Sequence, residues 1–356
     1  MMRTDKAPVI VLFNYYKSRT QEELEYGARQ TQEMLDGLHA LGHRAVAVEF
    51  WNDIRPGLAK YDPNEWIIFN WVEAIEDETA GDARVCEELD EMGFTYTGNP
   101  PATLRLSIEK GHVKRMLDRW HIPTPEGRDF LSPADVTEWK HFPAIVKPIA
   151  QHCSAAVTRD AVVHSVEALR ARVAHIAEAF NEGSIVERFI AGREINVGIW
   201  GNGRPRVLPL REIDFSAIPD PLHQMVTWDS KWTPNSLEWN TTPVNEQPVV
   251  SDALRAEIED IALRTYRAFG CRDYARVDLR IETDAQGVER PYVVDVNPNP
   301  DITSDGGFAG GCRAAGFSYG EAISNIVGMA VARRNRRNAL MATLSQRRVS
   351  RVAVPA

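Results

Sequence analysis

Cysteine is scarce in this sequence. There are four in 356 residues, Cys86, Cys153, Cys271 and Cys312, and no two are close enough to make a CxxC pair. That argues against a zinc site and against a disulfide scaffold. So few thiols suit a reducing compartment, and the expected location is cytoplasmic. Long hydrophobic runs are missing too. The longest near the N-terminus is Val9–Phe13, too short for a signal peptide, and nothing approaches the roughly 18 apolar residues of a membrane-spanning helix. Positive charge is in deficit: 41 Lys and Arg face 50 Asp and Glu, a net charge of −9. General nucleic-acid binding is therefore not expected, and any anionic ligand must be met by local cations. Both glycine-rich phosphate motifs, Gly-x-x-x-x-Gly-Lys-Ser/Thr and Gly-x-Gly-x-x-Gly, are absent. A bound phosphate would have to be held by separate side chains.

What is present reads as an ordinary soluble chain, 44% apolar and 26% charged, long enough for two or three domains. Val9–Phe13, Ala45–Glu49 and Trp66–Asn70 read as strands. Between and after them, Glu22–Leu41 and Asp82–Met92 read as helices that stop at Gly42 and Gly93. On Glu22–Leu41 the apolar spacing marks Leu24, Ala28, Thr31, Leu35 and Leu38. This order predicts a small parallel-sheet α/β domain over residues 1–102. "GNPPAT" is a loop at its boundary. Ser107–Trp120 reads as one helix. "FPAIVKPI" and "GSIVERFI", with a helix over Ser165–Ala179 between them, predict an α+β unit over 103–190. Strands dominate 191–330: "EINVGIW", "RVLPLREI", "YARVDLRI" and "RPYVVDVN", with a helix over Ser251–Phe269. "DGGFAGG" reads as a flexible loop before a helix over Tyr319–Ala332. Residues 331–356 hold seven arginines and no acid. They read as a solvated basic tail, or else as a contact for an acidic partner.

The stretch "YVVDVNPNPDIT" begins as a strand and is then interrupted by Asp295 and Asn297, two residues apart, before Pro298 and Pro300 end it. "YARVDLRI" and "RPYVVDVN" form a hairpin through "TDAQGVER". If the loop closes symmetrically, Glu282 faces Pro291, Asp278 faces Asp295 and Arg276 faces Asn297. All four site residues then share one face. Like charges directly opposite destabilise a sheet. Two carboxylates and an amide oxygen gathered there suit a hard divalent cation such as Mg²⁺. The bland alternative is a solvent-facing strand side. A cation there implies a phosphate beside it. Lys147 ends the strand "FPAIV" just before a proline. It is either a phosphate-binding cation or a surface lysine whose stem lies on apolar neighbours.

From about Val9 to Ala330 the chain resembles the ATP-grasp superfamily, and within it the D-alanine–D-alanine ligase-like carboxylate–amine ligases. The likeness rests on "FTYTGNP", "IEKGHVKRML", "FPAIVKP", "SIVERFIAGREINV", "ARVDLRI" and "VVDVNPNPDIT", which come in family order. It implies an ATP-grasp fold preceded by the N-terminal parallel-sheet domain, with 103–190 as the lid subdomain and 191–330 as the subdomain with the metal site. It implies an ATP-dependent ligase that joins a small carboxylate to an amine through an acyl phosphate, releasing ADP. Under this resemblance Lys110 and Lys147 contact ATP phosphates. Glu187, Phe189 and Ile190 form the adenine hinge, and Glu194 binds the ribose. Asp278, Asp295 and Asn297 ligate Mg²⁺ or Mn²⁺. Arg276 stabilises the transferring phosphate and the tetrahedral intermediate, and Lys231 in "TWDSKW" is a third phosphate lysine on a mobile loop.

The substrate half departs from the pattern. After Lys147 the glycine- and serine-rich loop is replaced by "IAQHCSAAV". Cys153 stands where the D-alanine enzymes carry a serine, Trp232 where they carry a tyrosine, and Asp301 where they carry a glycine. Gly306 falls near the place of the serine that would hold the second D-alanine. Asp301 is either a loop carboxylate or a partner for a substrate ammonium group. His152 is a loop residue or a catalyst. The partners expected are small molecules, with no nucleic acid and no membrane; a homodimer stays open. Three rival readings remain at this point: an ATP-binding scaffold without catalysis, a bicarbonate-using ATP-grasp enzyme, and D-alanine–D-alanine ligase itself.

Overall fold

The strand Val9–Asn14 (β1) is apolar along nearly its whole length because it is covered on both faces. Parallel strands flank it. After the helix Gln21–Ala40 (α1) comes Ala45–Phe50 (β2), and after the short helix Arg55–Leu58 (α2) comes Ile67–Trp71 (β3). The helix Gly81–Glu91 (α3) leads to Thr95–Tyr96 (β4), and the sheet order is β2-β1-β3-β4, all parallel. Thr20 starts α1 with a capping box to Glu23. The buried stripe of α1 is Gln30, Thr31, Met34 and Leu38, while Leu24, expected inside, is 39% exposed.

The computed structural model describes residues 6–14, 20–75, 78–151, 156–233 and 235–352. It divides into two units: 1–98 with 302–304 and 317–356, and 99–301 with 305–316. The second unit opens with helices Pro101–Ile108 (α4) and Lys110–Arg119 (α5). The single helix expected over Ser107–Trp120 is thus split. Glu109 is extended, and Pro101 starts a helix inside the expected loop, at a position where its missing N–H costs nothing. The split makes Lys110 the first residue of α5.

Gly127–Phe130 (β5), Ala144–Pro148 (β6), Val162–Val163 (β7) and, after the helix Val166–Phe180 (α6), Ser184–Arg188 (β8) form an antiparallel sheet ordered β5-β8-β6-β7. Leu169, Val173 and Ile176 of α6 pack on Phe130, Val146 and Val186. The other sheet begins with Gly192–Trp200 (β9), Arg206–Val207 (β10) and Arg211–Ile213 (β11), so "RVLPLREI" is two short strands, not one. Short helices Trp228–Trp232 (α7) and Leu237–Asn240 (α8) precede Val244–Asn245 (β12). The helix Asp252–Ala268 (α9) precedes the long hairpin Tyr274–Thr283 (β13) and Glu289–Asn297 (β14). The order is β12-β11-β9-β13-β14, with β10 on β9. Leu254, Ile258 and Ile261 of α9 share a core with Val197, Ile199, Val277 and Val293, leaving the opposite face of this sheet for polar side chains.

"DGGFAGG" is not a loop: Gly307–Ala314 is a helix (α10). Its glycines serve packing. A Cβ on Gly310 would lie 2.5 Å from Arg211 Cζ, so the glycine face is what lets the buried guanidinium lie against the helix. Back in the first unit, Tyr319–Val352 (α11) runs far past Ala332. Its Gly320 meets Gly37 of α1 so closely that neither position has room for a Cβ. The arginines expected in a solvated tail start within this helix. Arg333 donates to Tyr96 O at 2.6 Å, and Arg334 to Asn64 O and Glu65 O, both at 2.9 Å. Among the described residues no helix is long and apolar enough to cross a membrane.

Candidate active site

The hairpin β13–β14 pairs Arg276 with Asn297 and Asp278 with Asp295. These are the pairs expected from symmetric closure, but the far end differs. Glu282 faces Arg290, not Pro291, because a β-bulge follows Asp278. Pairing resumes at Leu279–Val293, which leaves Val294 as the extra residue. The bulge turns Val294 and Asp295 together into the cleft while Val293 and Val296 both stay in the core. Nothing in the sequence marks it, since no glycine stands there. On the other side β9 sets Asn196 opposite Asp278 and Glu194 opposite Arg280.

Asp278 accepts four hydrogen bonds. Arg276 Nε and Nη2 donate to its two oxygens at 2.7 and 2.9 Å, Asn196 Nδ2 to Oδ1 at 3.0 Å, and Asn297 Nδ2 to Oδ2 at 3.0 Å. A carboxylate has about four lone-pair sites, so all are used. Burial works against charge on Asp295, but Lys110, Lys147, Lys231 and Arg276 outweigh it and hold its carboxyl below the usual range.

A second cluster sits where the sheet β5-β8-β6-β7 meets α5. Glu187 on β8 accepts from Lys114 Nζ at 2.6 Å and from Lys147 Nζ at 2.8 Å. Burial opposes the Glu187 charge, yet the two ammonium groups bring its pKa down to about 2. Lys147 is held above its ordinary value, Glu187 prevailing over burial. Lys114 is pushed down by burial, with Glu187 opposing. It also donates to Thr124 Oγ1 at 2.7 Å and Pro125 O at 2.6 Å, and three acceptors suit an ammonium ion. Burial lowers the Lys110 pKa; its Nζ donates to Gln151 O. Glu194 is shifted up by burial against the pull of Arg280.

Lys110, Lys147, Lys231, Asp278, Asp295 and Asn297 line one cleft, together with Glu187, Phe189, Ile190 and Glu194. The cleft encloses about 1020 Å³, open solvent included. Arg276 stands beside it on β13, tied to Asp278. Asp301 follows β14, and its charge acts on Arg276. The backbone of Trp232 closes α7 next to Lys231. Cys153 and His152 lie outside the described residues. Three buried cations here carry no part in the sequence reading: Lys114, Arg211 and Arg280. Arg280 had a signal, since it continues the two-residue alternation of Arg276 and Asp278. Lys114 had none, because a lysine one turn after Lys110 reads as a solvated helix face.

Two antiparallel sheets that line one cleft, the smaller with Lys147 and the larger with Asp278 and Asp295, joined there by Lys110 of α5 and Lys231 of α7, define an ATP-grasp protein. The family described as D-ala D-ala ligase C-terminus matches residues 125–328, and the chain belongs to it. A D-alanine–D-alanine ligase of Desulforudis audaxviator is 29% identical over 313 residues, 86% of this chain and 94% of that one. The uncharacterized protein y4sG of Sinorhizobium fredii is 28% identical over 308 residues, 85% of this chain and 87% of that one. The crystal structure of D-alanine–D-alanine ligase from Bacillus anthracis complexed with ATP superposes with a TM-score of 0.68. It is 20% identical and covers 93% of this chain and 99% of that one, a likeness of fold.

Proposed function

We propose that this chain is an ATP-dependent, ADP-forming carboxylate–amine ligase acting on small molecules. The observation that carries the reading is the pairing of Asp278 with Asp295 and of Arg276 with Asn297, in a family member whose cleft also holds Lys110, Lys147 and Lys231. A carboxylate oxygen of the first substrate attacks the γ-phosphorus of ATP, ADP leaves, and an acyl phosphate results. The nitrogen of the second substrate then attacks the acyl carbon, loses a proton and expels phosphate. Lys110, Lys147 and Lys231 offer fixed positive charge to the phosphates, and Arg276 to the oxygens on which charge builds up. Glu187 holds Lys147 in place. Glu194 receives the ribose hydroxyls, and the chain from Glu187 through Phe189 to Ile190 borders the base.

The donor set fits Mg²⁺ or Mn²⁺: two carboxylates and an amide, all hard oxygen ligands. A bound cation would spread the negative charge of the phosphate oxygens. In the arrangement seen, Asp278 has no lone pair to spare. Rotation of the Asn297 amide by half a turn ends its bond to Asp278 and presents Oδ1 in place of Nδ2. One motion thus frees a site on Asp278 and adds a second ligand. The few thiols and the small-molecule chemistry support a cytoplasmic location.

A screen of phosphate and ADP release over pairs of amino acids, small carboxylates and amines tests the reading. A ligase releases both only when acid and amine are present together, or with the acid and a surrogate nucleophile. An ATP-binding scaffold releases neither with any pair, and that result would remove the reading.

A further inference from the structure

Arg280 is a buried charge to which the ligase chemistry assigns no task. Its side chain is 6% exposed, and it lines the same cleft. Removing a guanidinium from water is costly unless its donors are used. Nε donates to Ile190 O at 3.0 Å; Nη1 donates to Gln224 O at 2.8 Å and to Glu194 Oε2 at 3.2 Å. Cζ lies 5.5 Å from the Phe189 ring and 5.4 Å from the Phe215 ring, close enough for cation–π attraction. Nη2 is buried with no acceptor among the described residues.

These partners come from three separate segments. Phe189 and Ile190 follow β8 at the edge of the base site. Glu194 stands on β9. Phe215 and Gln224 belong to the segment between β11 and β12 that also carries Lys231 on α7. We propose that Arg280 is a positioning residue that holds Glu194 oriented for the nucleotide ribose and pins the Lys231 segment to the same wall, so that ribose recognition and the placement of Lys231 depend on one side chain. The inference rests on the ligase reading for the nucleotide itself. Arg280 engages only Oε2 of Glu194, which leaves Oε1 for a ligand hydroxyl. The guanidinium reaches Ile190 O through Nε and the Glu194 and Gln224 oxygens through Nη1, two nitrogens set apart; a lysine has three donors but on a single nitrogen.

The test compares binding of Mg-ATP and Mg-2′,3′-dideoxy-ATP to the wild type, Arg280→Met and Arg280→Lys by calorimetry, and trypsin cleavage after Lys231 with Mg-ATP present. Hydrogen bonds from hydroxyls to a carboxylate should give the wild type a preference for ATP of about tenfold or more. Arg280→Met should reduce that ratio to about twofold and leave Lys231 cleavable. Arg280→Lys should keep much of the ribose preference but still leave Lys231 cleavable. A general structural role would weaken both nucleotides equally, so a wild-type ratio in folded Arg280→Met overturns the proposal. If the methionine variant does not fold, full protection of Lys231 in Arg280→Lys overturns it. Failure of the wild type to bind ATP would instead remove the ligase reading, and this inference with it.

Discussion

Asn297 Nδ2 donates to Asp278 Oδ2 across 3.0 Å, and this bond completes the set of four that the Asp278 carboxylate accepts. It is the one bond of the set that an amide flip can convert into two cation ligands. The others come from Arg276, a pure donor, and from Asn196 on the far side. Asn297→Leu should therefore raise the Mg²⁺ concentration for half-maximal ADP release by about 10–100-fold. Asp295→Asn should cut metal-dependent turnover by about a hundredfold or more while the melting temperature holds. Turnover that persists in excess chelator, or is normal in Asp295→Asn, would remove the cation from this face.

Glu187 gives a prediction about pH. Its folded pKa of about 2 lies below the ordinary 4.5. The folded state therefore holds its proton less tightly than the unfolded chain does. The resulting stability is present above about pH 4.5 and is lost as pH falls from there toward 2. Glu187→Gln should lack that part of the acid transition. At neutral pH it should be less stable by about 3–5 kcal/mol, because the buried Lys114 and Lys147 both lose the carboxylate they are hydrogen-bonded to. Urea denaturation across pH 2–7 measures both effects. A variant as stable as the wild type at pH 7 would show that the lysines are satisfied by other groups.

Lys147 itself should matter more for nucleotide than for folding, since Glu187 keeps Lys114 when Lys147 is removed. Lys147→Ala is expected to weaken ATP binding by about tenfold or more, at a stability cost near 1 kcal/mol. Calorimetric affinity equal to wild type would reduce Lys147 to a structural residue.

The hairpin is legible because period two and like charges are both written in the sequence: Arg276, Asp278, Asp295 and Asn297 share one face if the loop closes symmetrically, and in the structure the bulge after Asp278, not the loop, provides that register. The bulge is not, because the residues around Val294 carry no turn signal and only the core contacts of Val293 and Val296 require it. The α10 helix is hidden in the sequence for the opposite reason. Glycine is a poor helix former, and the rule that seats Arg211 on Gly310 is a tertiary one. The sequence pattern of α5 shows its type but not its extent. The break at Glu109, which puts Lys110 at the helix start beside Gln151, has no glycine and no proline at the break itself.

Gly310→Ala sets helix propensity against that packing. Alanine should gain about 1 kcal/mol as a helix residue. Its Cβ would meet the Arg211 guanidinium, which is fixed by bonds to Gly307 O at 2.6 Å and Glu246 at 3.3 Å. Displacing it should cost about 1–3 kcal/mol, so the net effect is destabilising. In an Arg211→Met background the sign should reverse, because a thioether can move aside. A double-mutant cycle by urea denaturation reads the coupling. Additive effects would mean that Arg211 does not depend on the glycine face.

The substrate half should not accept D-alanine well. We propose Cys153, Trp232 and Asp301 as the positions that set the acid and the amine, each unlike the residue carried by the D-alanine enzymes. D-alanine as both substrates should support ADP release at least about a hundredfold below the natural pair, since sites built for one set of polar groups reject another strongly. Efficient D-alanyl-D-alanine synthesis by the purified protein would overturn this assignment and leave the ligase reading intact.

The intermediate gives the sharpest test of the chemistry. If the acid is activated before the amine reacts, a small nucleophile such as hydroxylamine can replace the amine. Its nitrogen attacks the acyl carbon, phosphate leaves, and a hydroxamate forms. With the right acid, ATP and Mg²⁺, the expected stoichiometry is one hydroxamate and one ADP per turnover. Arg276 is aligned on β13 by its two bonds to Asp278. In the proposed mechanism its charge serves the step that forms the acyl phosphate. Arg276→Ala should therefore suppress hydroxamate and ADP together, by about a hundredfold or more, and not one without the other. Loss of hydroxamate with ADP release unchanged would move Arg276 to the second step. AMP and pyrophosphate as the only nucleotide products would mean that attack falls on the α-phosphorus, and an acyl-phosphate ligase could not be what this cleft performs.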